Sequence, residues 1–455
     1  MKYYLISGEA SGDLHGSNLI KQLLLLDSKA IMRCWGGNLM QEAGATLVKH
    51  YRDLAFMGFA EVVKNLPTIL KNIRFCKKDV LAFQPDVLIL IDYPGFNLRI
   101  ATWAKQQGIK VVYYISPQVW AWKANRVKKM KQCIDKMLVI LPFEKTYFKD
   151  VWQWDVEYVG HPLVEVINSF KSQVSGYKLQ NTVSSSNQVV SSDNQVVSSD
   201  NQVVSSNNQV VSNDNQVVSS EKQVNSSNNQ VVSSNNQVVS SEKQVDSSEK
   251  QVNSSDNQVV SSNQPIIALL PGSRQQEIAK KLPVMLAVAK HFHQYQFVIA
   301  EAPGLEASFY QSFYAAAGIT NNVTTSNNKT YQLLSKATAA LVTSGTATLE
   351  TALFGVPEVV CYKGSNISYQ IGKRLIKIKF ISLVNLIMDK LVVKELIQDE
   401  MNATNLIAEL EDLLVNTQRQ QQIMEDYTAL KNKLTQGGNA SEKAAKSIFD
   451  FLSNQ

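Results

Sequence analysis

The sequence predicts an α/β protein with two doubly wound parallel sheets that face each other across a cleft. Three observations support this prediction. Short, wholly apolar runs recur in both halves of the chain, and each ends in glycine, proline or polar residues. Helix-like amphipathic segments separate these runs, which is typical of parallel strands covered on both faces. Between the halves, one seven-residue unit repeats eleven times.

The first half, residues 1–170, contains four of these apolar runs. They are Tyr3–Ile6, Val87–Ile91, Val111–Ile115 and Met137–Leu141. We expect them to be strands of a Rossmann-like domain, whose active groups gather at the carboxyl ends of the strands.

The second half, residues 264–430, follows the same pattern. Its apolar runs are Ile266–Leu270, Phe297–Ile299 and Ala340–Val342. They predict a second Rossmann-like domain facing the first, with the candidate site in the cleft between them. Residues 431–455 are expected to end the chain in a helix that packs back on the first domain.

Residues 171–263 form an insert, in which the repeats occupy Asn187–Asn263. The unit Asn-Gln-Val-Val-Ser-Ser-Asp places its valines side by side, so a coiled-coil seam is absent from the pattern. Its polar composition predicts disorder, and stacking into strands through the repeated Gln-Val-Val is the alternative. The repeats have five more negative than positive charges, so the rest of the chain carries +11, against +6 for the whole. This charge suits an anionic ligand or membrane surface, with a merely solvated surface as the alternative.

Composition also excludes several classes of protein. The cysteines are widely spaced (Cys34, Cys76, Cys133 and Cys361), which argues against a disulfide framework or a zinc site and fits the cytoplasm. The N-terminus has no signal-peptide pattern. No apolar run approaches the ~20 residues that span a bilayer, so any membrane contact is expected to be peripheral. The basic residues match no nucleic-acid-binding module, and we expect no nucleic-acid partner.

The stretch Ser7–Asp13 follows the first predicted strand and precedes a helix-like segment. Gly8 and Gly12 allow a ligand to approach the backbone closely, and the helix directs free N–H groups toward it. Their spacing differs from the G-x-G-x-x-G dinucleotide fingerprint. The carboxylates of Glu9 and Asp13 favour sugar hydroxyls over a diphosphate, and an ordinary glycine turn is the alternative. The candidate sugar-binding residues are Ser7, Gly8, Glu9, Ser11, Gly12 and Asp13.

Asp92 ends a predicted strand, which directs its carboxylate into the cleft. It is the best candidate for a general base, and the alternative is that it caps the helix near Phe96. In the next strand-end loop, Trp120 is a candidate for packing on a sugar or lipid chain, or else it belongs to the core. His161 follows Gly160, where a turn and a ligand contact are both open interpretations.

Two strand-end loops of the second half predict a nucleotide-diphosphate site. Gly272, Ser273 and Arg274 precede a helix, and the guanidinium can clamp a diphosphate by bidentate hydrogen bonds. In the second loop, small residues open a helix whose N–H groups can meet the same anion. These are Ser344, Gly345 and Thr346, with Glu350 one turn later, placed to accept hydrogen bonds from ribose.

An apolar series from Phe56 to Ile73 is interleaved with cations that continue to Lys78. A helix packed in the core is one interpretation. The other is an apolar surface ringed by cations, which would hold acyl chains beside an anionic bilayer. The candidate acyl contacts are Met57, Phe59, Val62 and Val63.

These loops, in this order, resemble the lipid-A-disaccharide synthases, which are GT-B glycosyltransferases of family 19. The matching stretches are Ser7–Asp13, Met57–Val62, Asp92–Asn97, Ser116–Lys123, Val159–Pro162, Leu269–Arg274, Ser344–Glu350, Ser382–Leu386 and Val393–Leu396. The resemblance covers the whole chain except the repeats, which the family pattern lacks. The first and fourth of these stretches are the most specific.

The resemblance implies a reaction in lipid A biosynthesis. UDP-2,3-diacylglucosamine would donate its sugar, with inversion, to the 6-hydroxyl of 2,3-diacylglucosamine 1-phosphate, without a metal cofactor. By position, Asp92 would be the base, Arg274 the diphosphate clamp, and Asn385 part of the UDP site with the Ser344–Glu350 loop. Family members often carry a second acid three residues after the base, where this chain has Gly95.

The resemblance also implies a location and partners. The enzyme would act in the cytoplasm of a Gram-negative bacterium, peripherally associated with the anionic inner membrane, and a homodimer is an open expectation. Two alternative functions remain at this stage. One is another GT-B enzyme, such as a UDP-N-acetylglucosamine 2-epimerase, and the other is a non-enzymatic, basic peripheral membrane protein.

Overall fold

The structure, a computed structural model, describes most of the chain on either side of the repeats. The described residues are 1–54, 66–186, 264–302, 305–318, 322–365, 369–370, 374 and 378–454. The repeats at 187–263, predicted to be disordered, lie outside them. Residues 171–186, which the sequence analysis assigned to the insert, are helical instead. Both sheets belong to one compact unit, formed by Met1–Lys171 together with Pro265–Gln455.

The first sheet is entirely parallel and, within the described residues, has seven strands in the order β3-β2-β1-β4-β5-β6-β7. The strands are β1 (Lys2–Ile6), β2 (Ile31–Gly36), β3 (Thr46–His50), β4 (Val87–Ile91), β5 (Lys110–Tyr114), β6 (Lys136–Val139) and β7 (Glu157–Tyr158). The helices between and after them are α1 (Ala10–Leu26), α2 (Asn38–Glu42), α3 (Leu66–Phe83), α4 (Pro94–Gln106), α5 (Arg126–Cys133), α6 (Pro142–Trp152) and α7 (Pro162–Ser186). The four predicted strands of this half are confirmed.

The second sheet repeats this arrangement with six described parallel strands, in the order β10-β9-β8-β11-β12-β13. They are β8 (Ile266–Leu270), β9 (Gln296–Glu301), β10 (Val323–Asn327), β11 (Ala337–Thr343), β12 (Glu358–Tyr362) and β13 (Lys394–Ile397). The helices are α8 (Gln275–Ala289), α9 (Ala307–Ala317), α10 (Thr330–Leu334), α11 (Thr346–Phe354), α12 (Leu383–Met388), α13 (Ala403–Val415), α14 (Thr417–Thr435) and α15 (Ala440–Ser453). Both sheets have the doubly wound order, and the predicted fold class is confirmed.

Alternation along the strands explains why whole strands are apolar. In β1, Tyr4 and Ile6 enter one core layer while Tyr3 and Leu5 enter another on the opposite face. All four side chains are fully buried. Burial of each such apolar side chain contributes about 1.5–3 kcal/mol to the free energy of folding. Because both faces are covered, only the strand ends are free to carry polar groups toward a ligand.

The last helix of the chain lies against the first half. Ala444 and Ile448 of α15 join the core layer that contains Leu5. Polar contacts fix the helix there, since Lys443 Nζ donates to the Tyr158 carbonyl at 2.8 Å. The chain therefore passes between the two sheets twice, once before α7 and once before α15.

Candidate active site

A cavity of about 810 Å³ is lined by residues from the loops that follow strands of both sheets and from the first turns of the helices after them. Ser11, Gly12 and Asp92 line it from the first half, and Ser344 and Thr346 line it from the second. Ligands of doubly wound sheets bind in this position, beyond the carboxyl ends of the strands. The fold thus brings together Asp92, Ser344 and Thr346 from opposite halves of the chain, whereas Gly272, Ser273 and Arg274 are not among the described residues that line this cavity.

Asp92 directly follows β4 and has an uncommon backbone conformation. Its φ of +44° and the φ of +49° at Tyr93 lie in the left-handed region, which non-glycine residues seldom adopt. Two side chains hold the Asp92 carbonyl in place: the buried Asn97 amide donates to it at 2.8 Å, and the Tyr113 hydroxyl also donates to it. Asn97 also donates to the last carbonyls of β1 and β4, at 3.3 and 3.2 Å. The Asp92 loop is therefore tied to three strands.

The carboxyl group of Asp92 is suited to proton transfer near neutral pH. Burial raises its pKa, the nearby Glu9 carboxylate raises it further, and the backbone N–H of Tyr93 lowers it, giving a pKa of about 7. A general base is most effective when its pKa lies near the working pH. Asp92 is half-buried and lines the cavity, so a ligand can reach it.

Glu9 connects Asp92 with Arg274 electrostatically. Burial raises the pKa of Glu9, and the Arg274 guanidinium lowers it. The same Glu9 carboxylate raises the pKa of Asp92. Arg274 is 54% exposed and its Nη1 lies 3.1 Å from Glu277 Oε1, so its charge stands at the surface of its loop. Glu9 is thus close enough to interact with the candidate base from one half and the candidate clamp from the other.

Behind the loop that carries Arg274 lies a buried lysine that the sequence analysis missed. Lys281 Nζ donates to Thr343 Oγ1 and lies 3.7 Å from Glu277 Oε2. Thr343 ends β11, so this contact ties the two candidate diphosphate loops together. Gly272 has a φ of +122°, and a Cβ there would lie 2.9 Å from Glu277 Oε2, which favours glycine. The i,i+4 spacing of Glu277 and Lys281 was the available sequence signal.

The second candidate diphosphate loop leads into α11. Ser344 Oγ donates to the Ile381 carbonyl at 2.8 Å, while Gly345 and Thr346 are exposed at the start of the helix. Ser273 of the other loop is exposed as well. One turn into α11, Glu350 Oε1 accepts a hydrogen bond of 3.3 Å from a tyrosine hydroxyl of α10. Burial raises the pKa of this carboxyl group.

Comparison with known proteins identifies the family. The model of the lipid-A-disaccharide synthetase family matches residues 3–191 and 241–449. The chain belongs to this family. The unmatched stretch, 192–240, lies within the repeats. The resemblance inferred from the strand-end loops is therefore confirmed.

Curated relatives of this lipid-A-disaccharide synthetase family member span nearly its whole length. It is 31% identical over 452 residues to a lipid-A-disaccharide synthase from Geobacter metallireducens, covering 98% of this chain and 96% of the relative. It is 33% identical over 448 residues to a lipid-A-disaccharide synthase from Syntrophus aciditrophicus, covering 97% and 95%. A solved UDP-GlcNAc 2-epimerase from Neisseria meningitidis, bound to UDP-GlcNAc, is similar in fold, with a TM-score of 0.58 at 13% identity and full coverage of both chains. That likeness concerns the fold alone.

Part of the first candidate loop supports the fold instead of the cavity. Asp13 is 3% exposed, and its carboxylate accepts backbone N–H groups at the start of α2, the shortest at 2.7 Å from Gly37. Ser7 is fully buried, and its hydroxyl donates to a methionine sulfur. Gly8 packs so closely on Tyr93 that a Cβ would lie 2.4 Å from the ring. For Ser7 and Asp13, a structural role replaces the predicted sugar contact.

Asn385 and Trp120 also need correction. Asn385 is fully buried, and its side chain bonds to the backbone of Val392 and Val393 and, at 2.9 Å, to Glu395 Oε1. It therefore braces the turn before β13, and both polar atoms of its side chain already have partners in the protein. Trp120 Nε1 donates to the buried Glu144 at 3.2 Å. The neighbouring Trp122, 49% exposed, lines the cavity in its place.

Two histidines line the cavity of this family member, and one of them, His161, had an ambiguous signal in the sequence. His15 and His161 are both buried. Burial lowers the pKa of His15 to about 4 and that of His161 to about 3, so both are neutral at physiological pH. The backbone N–H of Leu163 donates to His161 Nδ1 at 3.2 Å, which places the proton of that ring on Nε2.

The remaining sequence predictions concern the acyl contacts, metal binding and membrane-spanning helices. Met57, Phe59, Val62 and Val63 lie in 55–65, outside the described residues. Among the residues that are described, no group of three or more His, Cys, Asp or Glu is placed to hold a metal ion. None of the helices in the described ranges combines the length and apolar character needed to cross a bilayer.

Proposed function

We propose that this family member transfers 2,3-diacylglucosamine from UDP-2,3-diacylglucosamine to the 6-hydroxyl of 2,3-diacylglucosamine 1-phosphate. The products are a lipid A disaccharide 1-phosphate and UDP. The observation that carries this proposal is the shared cavity, in which a carboxyl group with a pKa of about 7 faces the loop that opens α11. A glycosyl transfer needs both a proton acceptor and a site for the leaving diphosphate.

In this mechanism Asp92 accepts the proton of the acceptor 6-hydroxyl. The hydroxyl oxygen forms a bond to the anomeric carbon of the donor as the bond from that carbon to the diphosphate oxygen breaks. The electron pair leaves with UDP, and attack from the opposite face inverts the anomeric centre. Asn97 and Tyr113 hold the Asp92 loop in position for this step.

The second half stabilises the leaving group. Arg274 donates to the diphosphate, and the exposed N–H groups at Gly345 and Thr346 add the positive end of the α11 dipole. Glu350 accepts from the ribose hydroxyls. Lys281 holds the two loops together through its contacts with Thr343 and Glu277.

The apolar lining of the cavity suits the acyl chains that distinguish these substrates from simple UDP-sugars. Trp122 and Val119 contribute from the first half, and Tyr362, Ile378 and Ile397 contribute from the second. An enzyme acting on a small, soluble sugar would have less use for such a lining. Met57, Phe59, Val62 and Val63, which lie outside the described residues, are proposed to add further acyl contacts.

Helix α3 is proposed to attach the enzyme to the anionic inner face of the cytoplasmic membrane. Its inner face is buried at Ile73, Cys76 and Val80, as a core helix requires. Its outer face nevertheless exposes large apolar side chains, which are Leu66, Leu70, Phe75 and Leu81, each more than 40% exposed. The cations Lys71, Arg74 and Lys78 are exposed among them. Apolar residues with surrounding cations are typical of peripheral membrane contact.

Charge reversal on α3 tests this attachment. We expect the triple variant Lys71→Glu, Arg74→Glu and Lys78→Glu to bind phosphatidylglycerol vesicles about 100-fold more weakly or worse, since each cation contributes about 1 kcal/mol near an anionic surface. The measurement is vesicle co-sedimentation over a range of lipid concentrations. The matched control reverses three exposed lysines elsewhere, Lys290, Lys336 and Lys431. Equal losses in the two triple variants would show that only net charge matters and would refute the α3 surface.

The function itself is tested with purified protein and both acylated substrates. We expect UDP and a disaccharide 1-phosphate to appear together in equal amounts. UDP-N-acetylglucosamine alone should give neither hydrolysis nor epimerisation, which separates the proposal from the 2-epimerase alternative. A chain lacking residues 187–263 should retain the activity, which a protein acting only through its repeats would not have. Absence of disaccharide from the full chain would refute the proposed function.

A further inference from the structure

The cavity contains a cation that the proposed mechanism does not use. Among the described lining residues, the permanent cations are Arg126 and Lys379. Lys379 lies at the exposed rim, where its Nζ is 2.9 Å from Asp389. Arg126 begins α5, is half-buried, and forms no ion pair with a carboxylate in the described part of the chain. A guanidinium that faces a cavity without such a counter-ion is suited to an anionic group on the ligand.

Arg126 lies on the side of the cavity that carries the candidate base. The Tyr113 hydroxyl donates to the Asp92 carbonyl. Burial raises the pKa of Tyr113, the Asp92 carboxylate raises it further, and the Arg126 guanidinium lowers it. Arg274, by contrast, interacts with Glu9 and with its own loop. The two guanidinium groups therefore stand in different places and can serve different anions.

A second, independent feature shows that the wall of this cavity is polar as well as charged. His15 is only 7% exposed, and its Nδ1 atom is buried without a hydrogen-bond partner among the described residues. Buried polar atoms are nearly always paired in folded proteins. His15 lies one turn after Ser11 and Gly12, all of which line the cavity. This wall of the cavity is therefore polar beside the Asp92 loop.

We propose that Arg126 binds the 1-phosphate of the acceptor sugar while Asp92 receives the proton of its 6-hydroxyl. This inference rests on the proposed function and assigns a phosphate subsite within it. The donor diphosphate already has Arg274 and the start of α11. The acceptor carries its own phosphate on C1, and the reacting 6-hydroxyl is attached through C5 on the other side of the ring oxygen, so fixing that phosphate orients the hydroxyl. A bidentate guanidinium contact provides both the charge and the direction that this requires.

The test compares two acceptors that differ only in the phosphate, 2,3-diacylglucosamine 1-phosphate and 2,3-diacylglucosamine. The wild-type chain should prefer the phosphorylated acceptor by about 10- to 100-fold in kcat/KM, as expected for a charge-assisted contact. Arg126→Ala should lose this preference by reacting more slowly with the phosphorylated acceptor alone. Arg126→Lys should keep part of it, because a point charge remains without the planar fork. The matched control is Lys129→Ala, which removes an exposed cation from the same helix.

The outcomes separate this inference from the proposed function. Unchanged discrimination in Arg126→Ala, or an equal loss with both acceptors, would overturn the phosphate subsite while the transferase assignment stands. The same loss of discrimination in Lys129→Ala would also overturn it, because the effect would then belong to the general field of the basic helix. Absence of disaccharide from the wild-type chain with either acceptor would overturn the proposed function, and the subsite with it.

Discussion

Replacing Asp92 by Asn is expected to lower kcat by about 1,000-fold, within the range that a general base contributes. The amide has nearly the shape of the carboxyl group but cannot accept the proton of the acceptor hydroxyl. The contacts that hold the loop, from Asn97 and Tyr113, go to the Asp92 carbonyl and are unaffected by the change. UDP affinity should therefore stay within a factor of two or three, as expected for a variant that loses only a transition-state interaction. Steady-state kinetics and UDP titration calorimetry measure the two quantities.

The pH profile gives this prediction a second readout. Asp92 has a pKa of about 7, so its base form is lost as the pH falls below 7. The kcat/KM of the wild-type chain should rise with pH and level off above about 7 to 8, while Asp92→Asn should lack this limb. The exposed Asp150→Asn is the matched control and should keep the wild-type profile.

The melting temperature of Asp92→Asn shows whether a loss of activity comes from the missing base or from a less stable fold. In the folded protein the pKa of Asp92 is raised above its usual value of 3.8. The ionised form is therefore destabilising, and this cost appears as the pH rises through the folded pKa. At pH 8, Asp92→Asn should melt no lower than the wild-type chain. A lower melting temperature, or near-normal turnover, would contradict the assignment of Asp92 as the base.

The sequence predicted the features that depend on local pattern and on the geometry of parallel sheets. The strand before Asp92 is apolar along its length because alternate residues enter opposite core layers, and this is visible as a simple run. Once such runs are recognised, the rule that active groups lie at strand ends is enough to select Asp92, Ser344 and Thr346. All three line one cavity although the chain separates them widely.

The errors arose where a side chain's partner is distant in sequence. Asp13 lies in a stretch of small residues that suggests a ligand, but it belongs to the first turn of α1, and its carboxylate caps α2, more than twenty residues later. Asn385 accepts hydrogen bonds from Val392 and Val393, so a polar residue near the cleft serves the backbone instead. Lys281 was missed for the converse reason, because a helical lysine is usually solvated and only its contact with Thr343 reveals its position. The local sequence pattern does not show which of these polar groups find hydrogen-bond partners elsewhere in the folded protein.

Replacing Arg274 by Ala is expected to weaken UDP binding by about 10-fold and to lower kcat by about 100-fold. The larger effect on kcat follows because negative charge on the leaving diphosphate grows as the glycosidic bond breaks, so the guanidinium interacts more strongly with the transition state. The loop should keep its shape, since Gly272 and Glu277 remain and Lys281 still bonds to Thr343. Donor saturation kinetics and UDP calorimetry provide the measurements.

Two further variants identify the cause of the effect. Lys280→Ala removes an exposed cation from α8 and should behave like the wild-type chain, because the mechanism gives Lys280 no role. Arg274→Lys should recover part of the UDP affinity but less of the turnover, because an ammonium supplies charge without bidentate geometry. Equal losses in Lys280→Ala and Arg274→Ala would show that only the general positive field attracts UDP. Wild-type kinetics in Arg274→Ala would show that the helix dipole of α11 carries the leaving group alone.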